Sequence, residues 1–193
     1  MKEDFLDKLF LKARSHYNWQ DKDVDIKVLE SLYNLVKNCP TSANSEPMRI
    51  VFLKSKKSKE RIKPFLSEGN IEKTITPPVV AIIAYDTKFY EHLPKLFPHN
   101  PGMQKVLSNP PAKAETTAFR NSTLQGGYFM IAARALGLDV GPMSGFDNAG
   151  VDNEFFSDGR FKSNFLCNLG YGDKSKLLNR LPRFDFSEVC KIL

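Results

Sequence analysis

Three short segments of this 193-residue chain combine residue types that could hold an anionic or planar ligand. Arg14-Ser15 places a guanidinium fork beside a hydroxyl, a pair that suits a phosphate group. Ser42 and Asn44 lie in a polar loop framed by two prolines. Residues 141–146 contain two glycines, which let backbone N–H groups approach a ligand closely. An ordinary helix end explains the first segment more readily, and tight turns explain the other two equally well.

Basic residues recur near the end of the chain, on a segment without a strong helical or strand pattern. They are Lys174, Lys176, Arg180 and Arg183. Such a tail could close over a phosphate, or it could simply be solvated. The chain carries 28 basic and 22 acidic residues, a formal net charge of +6, which favours anionic partners without choosing among them. The basic segment 56–65 is interpreted as a solvated helix face, so we expect no nucleic-acid partner.

Several common kinds of catalytic site are missing from the sequence. The three histidines, His16, His92 and His99, have no ligand spacing, so we expect no bound metal. A Walker A motif and a GxGxxG motif after a strand are both absent, which argues against a resident dinucleotide site. The serine within residues 141–145 lies one place too late for the nucleophile elbow of a serine hydrolase. A nicotinamide cofactor could still bind transiently.

The cysteines and the apolar runs indicate an intracellular protein. Cys39, Cys167 and Cys190 are odd in number and form no CxxC pair, which is typical of reduced thiols in the cytosol. No apolar run approaches 18 residues, and the acidic N-terminus lacks the apolar core of a signal peptide. We therefore expect a cytoplasmic protein with no membrane partner.

Hydrophobic periodicity divides the chain into helices and strands around one core. The continuous apolar run at residues 79–85 predicts a fully buried central strand. Predicted helices cover residues 4–14, 26–36, 56–65, 115–136 and 151–157, and predicted strands cover residues 50–53, 79–85, 138–142 and 164–171. This order predicts one domain over residues 1–193, a mixed α/β or α+β sandwich around a single sheet.

Two features interrupt the regular pattern. Residues 86–112 hold five prolines and predict an excursion of loop and short helix, of a length often used as a lid. Gly126-Gly127 lie in the middle of the longest predicted helix, where each costs about 1 kcal/mol. Glycines in that position permit close packing, so we expect another helix or a ligand to approach there.

Taken together, these segments resemble the nitroreductase family of flavoproteins. That family has an Arg-Ser pair ending the first helix, a Pro-Ser-x-x-Asn-type loop, a Gly-Asn pair, a Pro-x-x-Gly-Phe/Tyr turn and a late Arg-x-Pro element. The corresponding residues here are Arg14-Ser15, residues 40–44, Gly69-Asn70, residues 142–146 and residues 180–182. Each motif is weak alone, but their order and spacing across residues 13–183 make the match fairly specific.

Longer segments narrow the resemblance to the HadB/RutE subfamily, the malonic semialdehyde reductases of pyrimidine degradation. These segments are CPTSAN at 39–44, EGNIEKT at 68–74, FYEHLP at 89–94, ETTAFRNS at 115–122, GPMSGFD at 141–147 and GYGDKSKL at 170–177. They are spread over nearly the whole chain.

The resemblance implies a fold, an assembly and a cofactor. The fold would be the FMN-dependent nitroreductase-like α+β fold, with a central mixed sheet flanked by helices. The active form would be a homodimer with two FMN sites at the subunit interface. The residues implied to hold FMN are Arg14, Ser15, Ser42, Asn44, Asn70, Pro142, Met143, Ser144, Gly145 and Arg180.

The resemblance also implies roles within that set. Arg14-Ser15 and Arg180 would hold the phosphate, and the backbone of residues 142–145 would lie against the reactive N5 face of the flavin. The side chains of Ser42, Asn44 and Asn70 would bond the edge of the flavin ring or the ribityl chain. Two positions depart from the family pattern. Tyr17 stands where the family often has a base, and Glu46 replaces a glutamine, so we leave Glu46 outside the site.

The activity implied is hydride transfer in two half-reactions. NADH or NADPH would reduce flavin N5, and malonic semialdehyde would then be reduced to 3-hydroxypropionate. A flavin that carries the chemistry explains the absence of a catalytic dyad. Arg120 is a candidate for binding the substrate carboxylate, although a surface or interface salt bridge explains it slightly better. Three alternatives stay open: a broad nitro- or quinone-reductase, a non-catalytic basic binding module, and a flavin-binding protein without turnover.

Overall fold

The structure is a computed structural model that describes residues 2–193, with side chains from residue 4 onward. Four strands are present in the described chain: β1 (Met48–Leu53), β2 (Val79–Asp86), β3 (Asp139–Met143) and β4 (Phe161–Gly170). The helices are α1 (Lys2–Leu6), α2 (Ile26–Val36), α3 (Lys56–Ile62), α4 (Ile71–Ile75), α5 (Leu93–Leu96), α6 (Met103–Ser108), α7 (Pro111–Ala135), α8 (Asn148–Phe155) and α9 (Phe186–Val189). The predicted α+β class is confirmed.

The four strands form one sheet in the order β1-β2-β4-β3, and each neighbouring pair is antiparallel. Every residue of β2 is buried, as the apolar run predicts for residues 79–85, and the buried strand also includes Asp86 at its end. We expected a mixed sheet, and parallel pairing among the described residues occurs only at the segment before α2, outside the four strands. Within the described residues, that segment adds one parallel bridge, between Ser15 and Val140 at the free edge of β3.

Helices cover both faces of the sheet because β2 alternates its side chains between two cores. Val79, Ala81 and Ile83 face the core formed with α2 and α7. Val80 and Ile82 face the second core, formed with α3 and α8. The result is a three-layer sandwich whose middle layer is the sheet, and the site must therefore lie at an edge or an end of the strands.

Several helix boundaries differ from the sequence prediction. The first helix ends at Leu11 rather than near residue 14, and its second half is a π-helix (Asp7–Leu11). The long helix begins at Pro111 rather than near residue 115, because proline in the first turn needs no N–H partner. The excursion at 86–112 contains α5 and α6, joined by turns.

The two glycines of α7 have different surroundings. A Cβ on Gly126 would lie 2.6 Å from the Phe165 ring of β4, so Gly126 permits close packing against the sheet rather than against a helix or ligand. A Cβ on Gly127 would meet nothing within 4 Å. No helix in the described chain is long and apolar enough to cross a bilayer.

Candidate functional site

The segment that carries Arg14-Ser15 runs along the free edge of β3. The bridge between Ser15 and Val140 is reinforced by the His16 N–H, which donates to the Val140 carbonyl at 2.9 Å. The Gly141 position has no room for a side chain, since a Cβ there would lie 2.4 Å from the His16 carbonyl oxygen. Two segments that are about 125 residues apart in sequence therefore meet directly.

Beside this edge lies a pocket of about 440 Å³ that contains both predicted phosphate-binding arginines. The Arg14 Nη2 donates to the Leu178 carbonyl at 2.5 Å. The Arg180 Nη2 donates to the carbonyls of Leu11 and Ala13, at 2.7 and 3.1 Å. The contacts cross between the N-terminal segment and the C-terminal tail, so the tail closes one wall of the pocket.

The pocket is strongly positive. Its lining includes the cations Arg14, Arg134, Lys176, Arg180 and Arg183, against the single carboxylate of Asp173. Because the two bridging arginines bond neutral carbonyl oxygens, their charges are left for a ligand. The Nε of Arg134 is buried and has no hydrogen-bond partner among the described residues. A pocket with surplus charge and an unused buried donor fits a phosphate-bearing ligand.

His16 lines this pocket and was not predicted as a site residue. Its side chain is buried, and burial lowers its pKa despite the Asp139 carboxylate, whose Oδ1 lies 3.4 Å from Nε2. The Nδ1 atom has no partner in the described chain. A Cβ on Gly172 would lie 1.9 Å from Nδ1, so only glycine is accommodated against the ring.

The turn after β3 is held by Asn70 and Ser67, on the segment that contains the Gly69-Asn70 pair. The Asn70 Nδ2 and the Ser67 N–H both donate to the Gly145 carbonyl, at 3.0 and 3.1 Å. A Cβ on Gly145 would lie 2.4 Å from the Asn70 Nδ2, which explains the glycine. The structure thus brings Asn70 together with residues 142–145, on the same edge as Ser15.

Lys73 lies between the segment of Arg14-Ser15 and the turn held by Asn70. The sequence analysis did not identify it as a site residue. Its ammonium lies 4.8 Å from the ring centroid of Tyr17, the residue that stands where a base was expected. Lys73 follows Asn70 by three positions on the turn into α4, so both can face the same side. That helical spacing was a signal in the sequence, but only the contact with Tyr17 shows which side it faces.

Ser42 and Asn44 lie in a second place, in the loop of residues 41–46 before β1. The Ser42 N–H donates to the Asn121 Oδ1 at 2.8 Å, and the Asn44 Nδ2 donates to the Leu96 carbonyl at 2.9 Å. Ala43 and Asn44 have φ angles of 51° and 49°, and Glu46 has one of 39°. A left-handed conformation costs roughly 1–2 kcal/mol per non-glycine residue, and such strain concentrates at functional sites.

Within one chain the two groups of predicted residues are far apart. The loop of residues 41–46 is anchored at Asn121 of α7, whereas Arg134 of the same helix lines the positive pocket. A rise of 1.5 Å per residue separates these two helix positions by roughly 20 Å. The structure therefore places Arg14, Ser15 and Arg180 in one pocket at the edge of β3, and Ser42 and Asn44 are not among the residues that line it.

Arg120 belongs with the loop of residues 41–46. It is exposed on α7, next to the Asn121 that anchors Ser42, and it has no hydrogen bond or ion pair among residues 4–193. No salt bridge therefore occupies this guanidinium in the described chain. In the same part of the chain, no three histidine, cysteine or acidic side chains cluster in a way that could hold a metal ion.

Comparisons with known proteins agree with the fold. The model of the nitroreductase family matches residues 11–171. A Burkholderia lata protein with the provisional name NADH dehydrogenase/NAD(P)H nitroreductase is 55% identical over 192 residues, covering 100% of this chain and 98% of that protein. A Bacillus subtilis structure provisionally named nitroreductase ydfN has a TM-score of 0.88 at 20% identity, covering 100% of both chains. A provisionally named Exiguobacterium sibiricum nitroreductase in complex with FMN has a TM-score of 0.87 at 19% identity, covering 98% of this chain and 97% of that one.

Proposed function

This chain belongs to the nitroreductase family, and from that premise we propose that it is an FMN-dependent oxidoreductase that takes electrons from NADH or NADPH. The observation that carries the proposal is the positive pocket beside the edge of β3, lined by arginines that bond neutral carbonyl oxygens. The same strand leads into a glycine-containing backbone turn that a planar group can approach. The FMN bound by the Exiguobacterium relative and the electron donor in the name of the Burkholderia relative support it.

The residues at the edge of β3 would contact two parts of FMN, the phosphate and the ring. Arg14, Ser15 and Arg180 would hold the phosphate, because they offer two guanidinium groups and a hydroxyl within one pocket. Asn70 fixes the Gly145 carbonyl, so the backbone of residues 142–145 would be rigid against the ring. Bound FMN would supply a hydride carrier between the nicotinamide and the substrate. The protein would supply position, charge and exclusion of water.

We further propose that the site is completed in a homodimer. Asn121, which anchors the loop of Ser42 and Asn44, lies roughly 20 Å along α7 from Arg134 of the positive pocket, at 1.5 Å per helical residue, so a second copy would have to present that loop. Large apolar side chains are exposed on α2, on α7 and in the tail, as a subunit interface requires. Examples are Ile26, Tyr33, Leu124, Tyr128, Leu181, Phe184 and Ile192.

The substrate we propose is malonic semialdehyde, reduced to 3-hydroxypropionate in pyrimidine degradation. The support is Arg120, a guanidinium without a partner that lies on the same turn of α7 as the anchor of Ser42. A guanidinium suits a carboxylate better than it suits an uncharged nitro group or quinone. The subunit that completes the flavin site would thus also supply the cation for the substrate.

A broad nitro- or quinone-reductase is the second candidate, favoured by the name of the Burkholderia relative. A nucleic-acid-binding role for α3 has less support, because the basic face there is partly occupied. The Lys59 ammonium donates to the Pro77 carbonyl at 2.6 Å, and Arg61 pairs with Glu154 at 2.6 Å. These contacts hold α3 to the domain.

The first experiment adds FMN to the purified protein, removes the excess and records the visible spectrum. NADH or NADPH is then added without oxygen. We expect a retained flavin whose absorbance bleaches. A protein that stays colourless after reconstitution would refute the oxidoreductase proposal. Turnover of malonic semialdehyde, nitroaromatics and quinones then separates the two substrate classes.

Arg120→Ala tests the substrate assignment. Loss of a charge-assisted hydrogen bond, about 1.5–3 kcal/mol, should raise KM for malonic semialdehyde roughly 10- to 100-fold. Turnover of an uncharged quinone should not change. Lys113→Ala, which removes an exposed cation from the same helix, is the matched control. Equal KM values for the Arg120→Ala variant and the unmodified protein would show that another residue binds the carboxylate.

A further inference from the structure

A buried carboxylate lies behind the strained loop of residues 41–46. The Asp86 side chain, at the end of β2, is 0% exposed. It accepts hydrogen bonds from Arg49 at 2.8 Å, from Arg160 at 3.0 Å and from the Lys88 N–H at 2.9 Å. The His92 Nε2 lies 3.3 Å away. Two guanidinium groups thus converge on one carboxylate from the two sides of β2, Arg49 from β1 and Arg160 from the residue before β4.

Arg49 connects this carboxylate to the loop. While its Nη2 bonds Asp86, its Nη1 donates to the carbonyls of Glu46 and Met48, each at 2.9 Å. Glu46 is the last of the three left-handed residues in the loop. The planar guanidinium fixes both sets of contacts in one geometry, because its donors cannot rotate independently.

The loop is held at both ends and braced inside. At its start, the Ser42 N–H is held by Asn121. Inside, the N–H groups of Asn44 and Ser45 donate to the carbonyls of Thr41 and Ser42, at 3.0 and 3.1 Å. At its end, Arg49 holds the Glu46 carbonyl. Left-handed residues persist only where the surroundings over-determine them, so loss of one end should release the loop.

Arg160 donates to the same carboxylate as Arg49 and can therefore be compared with it. It bonds both oxygens of Asp86, at 3.0 and 3.1 Å, and it pairs with Glu91 at 3.1 Å. None of its hydrogen bonds reaches the loop of residues 41–46 in the described chain. Arg49 and Arg160 therefore contribute equal charge to one carboxylate, and only Arg49 extends from it to the loop.

We propose that Arg49, oriented by Asp86, is a positioning residue that holds residues 41–46 in the conformation that presents Ser42 and Asn44 to FMN. The proposal rests on the proposed function, because it assumes that this loop contacts the cofactor. This role requires no contact of Arg49 with flavin or substrate. Its effect passes through the Glu46 carbonyl into the backbone of the loop.

The test compares Arg49→Gln with Arg160→Gln. Both variants remove one positive charge from Asp86 and leave the other arginine in place. Hydrogen–deuterium exchange of residues 41–46 is measured together with the FMN dissociation constant and the melting temperature. We expect Arg49→Gln to speed exchange of the Asn44 and Ser45 amides at least 10-fold and to raise the FMN dissociation constant by a similar factor. Arg160→Gln should change the exchange rates of these amides and the FMN dissociation constant by less than about threefold.

The expected difference between Arg49→Gln and Arg160→Gln must appear while the two variants have comparable melting temperatures. Arg49→Lys covers the case in which Arg49→Gln does not fold. Lysine keeps the ion pair with Asp86 but cannot bridge the carboxylate and both carbonyls at once, so it should show the same increases. Equal exchange and equal FMN affinity in the Arg49 and Arg160 variants would overturn the proposal.

The exchange measurement separates this proposal from the proposed function. If the unmodified protein does not bind FMN, the proposed function fails and the link from Arg49 to the cofactor fails with it. If the unmodified protein binds FMN and the loop amides of the Arg49 variants exchange at the unmodified rate, only the positioning role is refuted.

Discussion

Arg14 and Arg180 bring charge from the two ends of the chain into one pocket, and neither guanidinium forms an ion pair with a carboxylate among the described residues. Each is held by backbone carbonyls of the opposite segment. A neutral partner orients a guanidinium at little cost to its field, whereas an aspartate would cancel that field. The residues of this pocket are therefore arranged to bind an anion rather than to stabilise the fold through ion pairs.

Arg180→Ala should weaken FMN binding roughly 10- to 100-fold, since one charge-assisted contact with the phosphate is worth about 1.5–3 kcal/mol. Arg180→Lys should recover only part of the affinity, because an ammonium cannot form a bidentate contact. Fluorescence titration of FMN measures both variants. Lys57→Ala removes an exposed cation from α3 and should leave the affinity unchanged. Equal losses in the Lys57 and Arg180 variants would indicate a general charge effect.

Asp86 links the ends of three strands through ion pairs, in addition to the packing of their side chains. Arg49 lies on β1, Asp86 on β2, and Arg160 directly precedes β4. Burial by itself would raise the pKa of Asp86. The hydrogen bond from Arg160, the Lys88 N–H and the charges of both arginines outweigh burial and hold that pKa below its usual range. The ionised carboxylate thus stabilises this end of the sheet.

Asp86→Asn should reduce the free energy of unfolding at pH 7 by about 3–5 kcal/mol, the usual cost of breaking a buried ion pair. Because the pKa of Asp86 is lowered on folding, its stabilisation is present above the unfolded pKa of about 3.9 and is lost as pH falls through the folded pKa. The difference between the two proteins should therefore narrow below about pH 4. Urea unfolding at neutral and acidic pH measures it, and a difference independent of pH would contradict this account.

At the scale of the whole molecule, the proposed FMN site would consist of two half-sites that one chain holds apart. The pocket beside β3 and the loop of residues 41–46 are served by opposite halves of α7, and the face of α7 between them exposes Leu124 and Tyr128. An exposed apolar face between two incomplete sites is what a two-fold interface would cover. Assembly and cofactor binding should therefore depend on each other.

Leu124→Glu should convert the proposed homodimer into a monomer, because it would bury a carboxylate at the interface. Sedimentation velocity measures the assembly, and we expect FMN affinity to fall at least 10-fold in the same variant. Ser157→Glu adds the same charge at an exposed position after α8 and serves as the control. A monomeric Leu124 variant with unchanged FMN affinity would show that one chain binds the cofactor alone.

The sequence by itself determined the elements and the residue types of the site. The apolar run of β2 predicted a central buried strand, and the period of α2 predicted its limits, Ile26–Val36, because burial patterns repeat locally along a chain. Ser15 and Asn70 were likewise identifiable from short motifs. The resemblance carried by those motifs led to the nitroreductase family, which the family match confirmed.

Only the tertiary structure decided which of these residues meet. It placed Arg14-Ser15 against the edge of β3, brought Lys73 over Tyr17 and buried His16 beside Asp139, three contacts between segments far apart in sequence. It also separated Ser42 and Asn44 from the pocket and tied their loop to Asp86 through Arg49. Local patterns record how each segment is buried, but distances between remote segments depend on how the helices and the sheet pack, and that packing is a property of the whole chain.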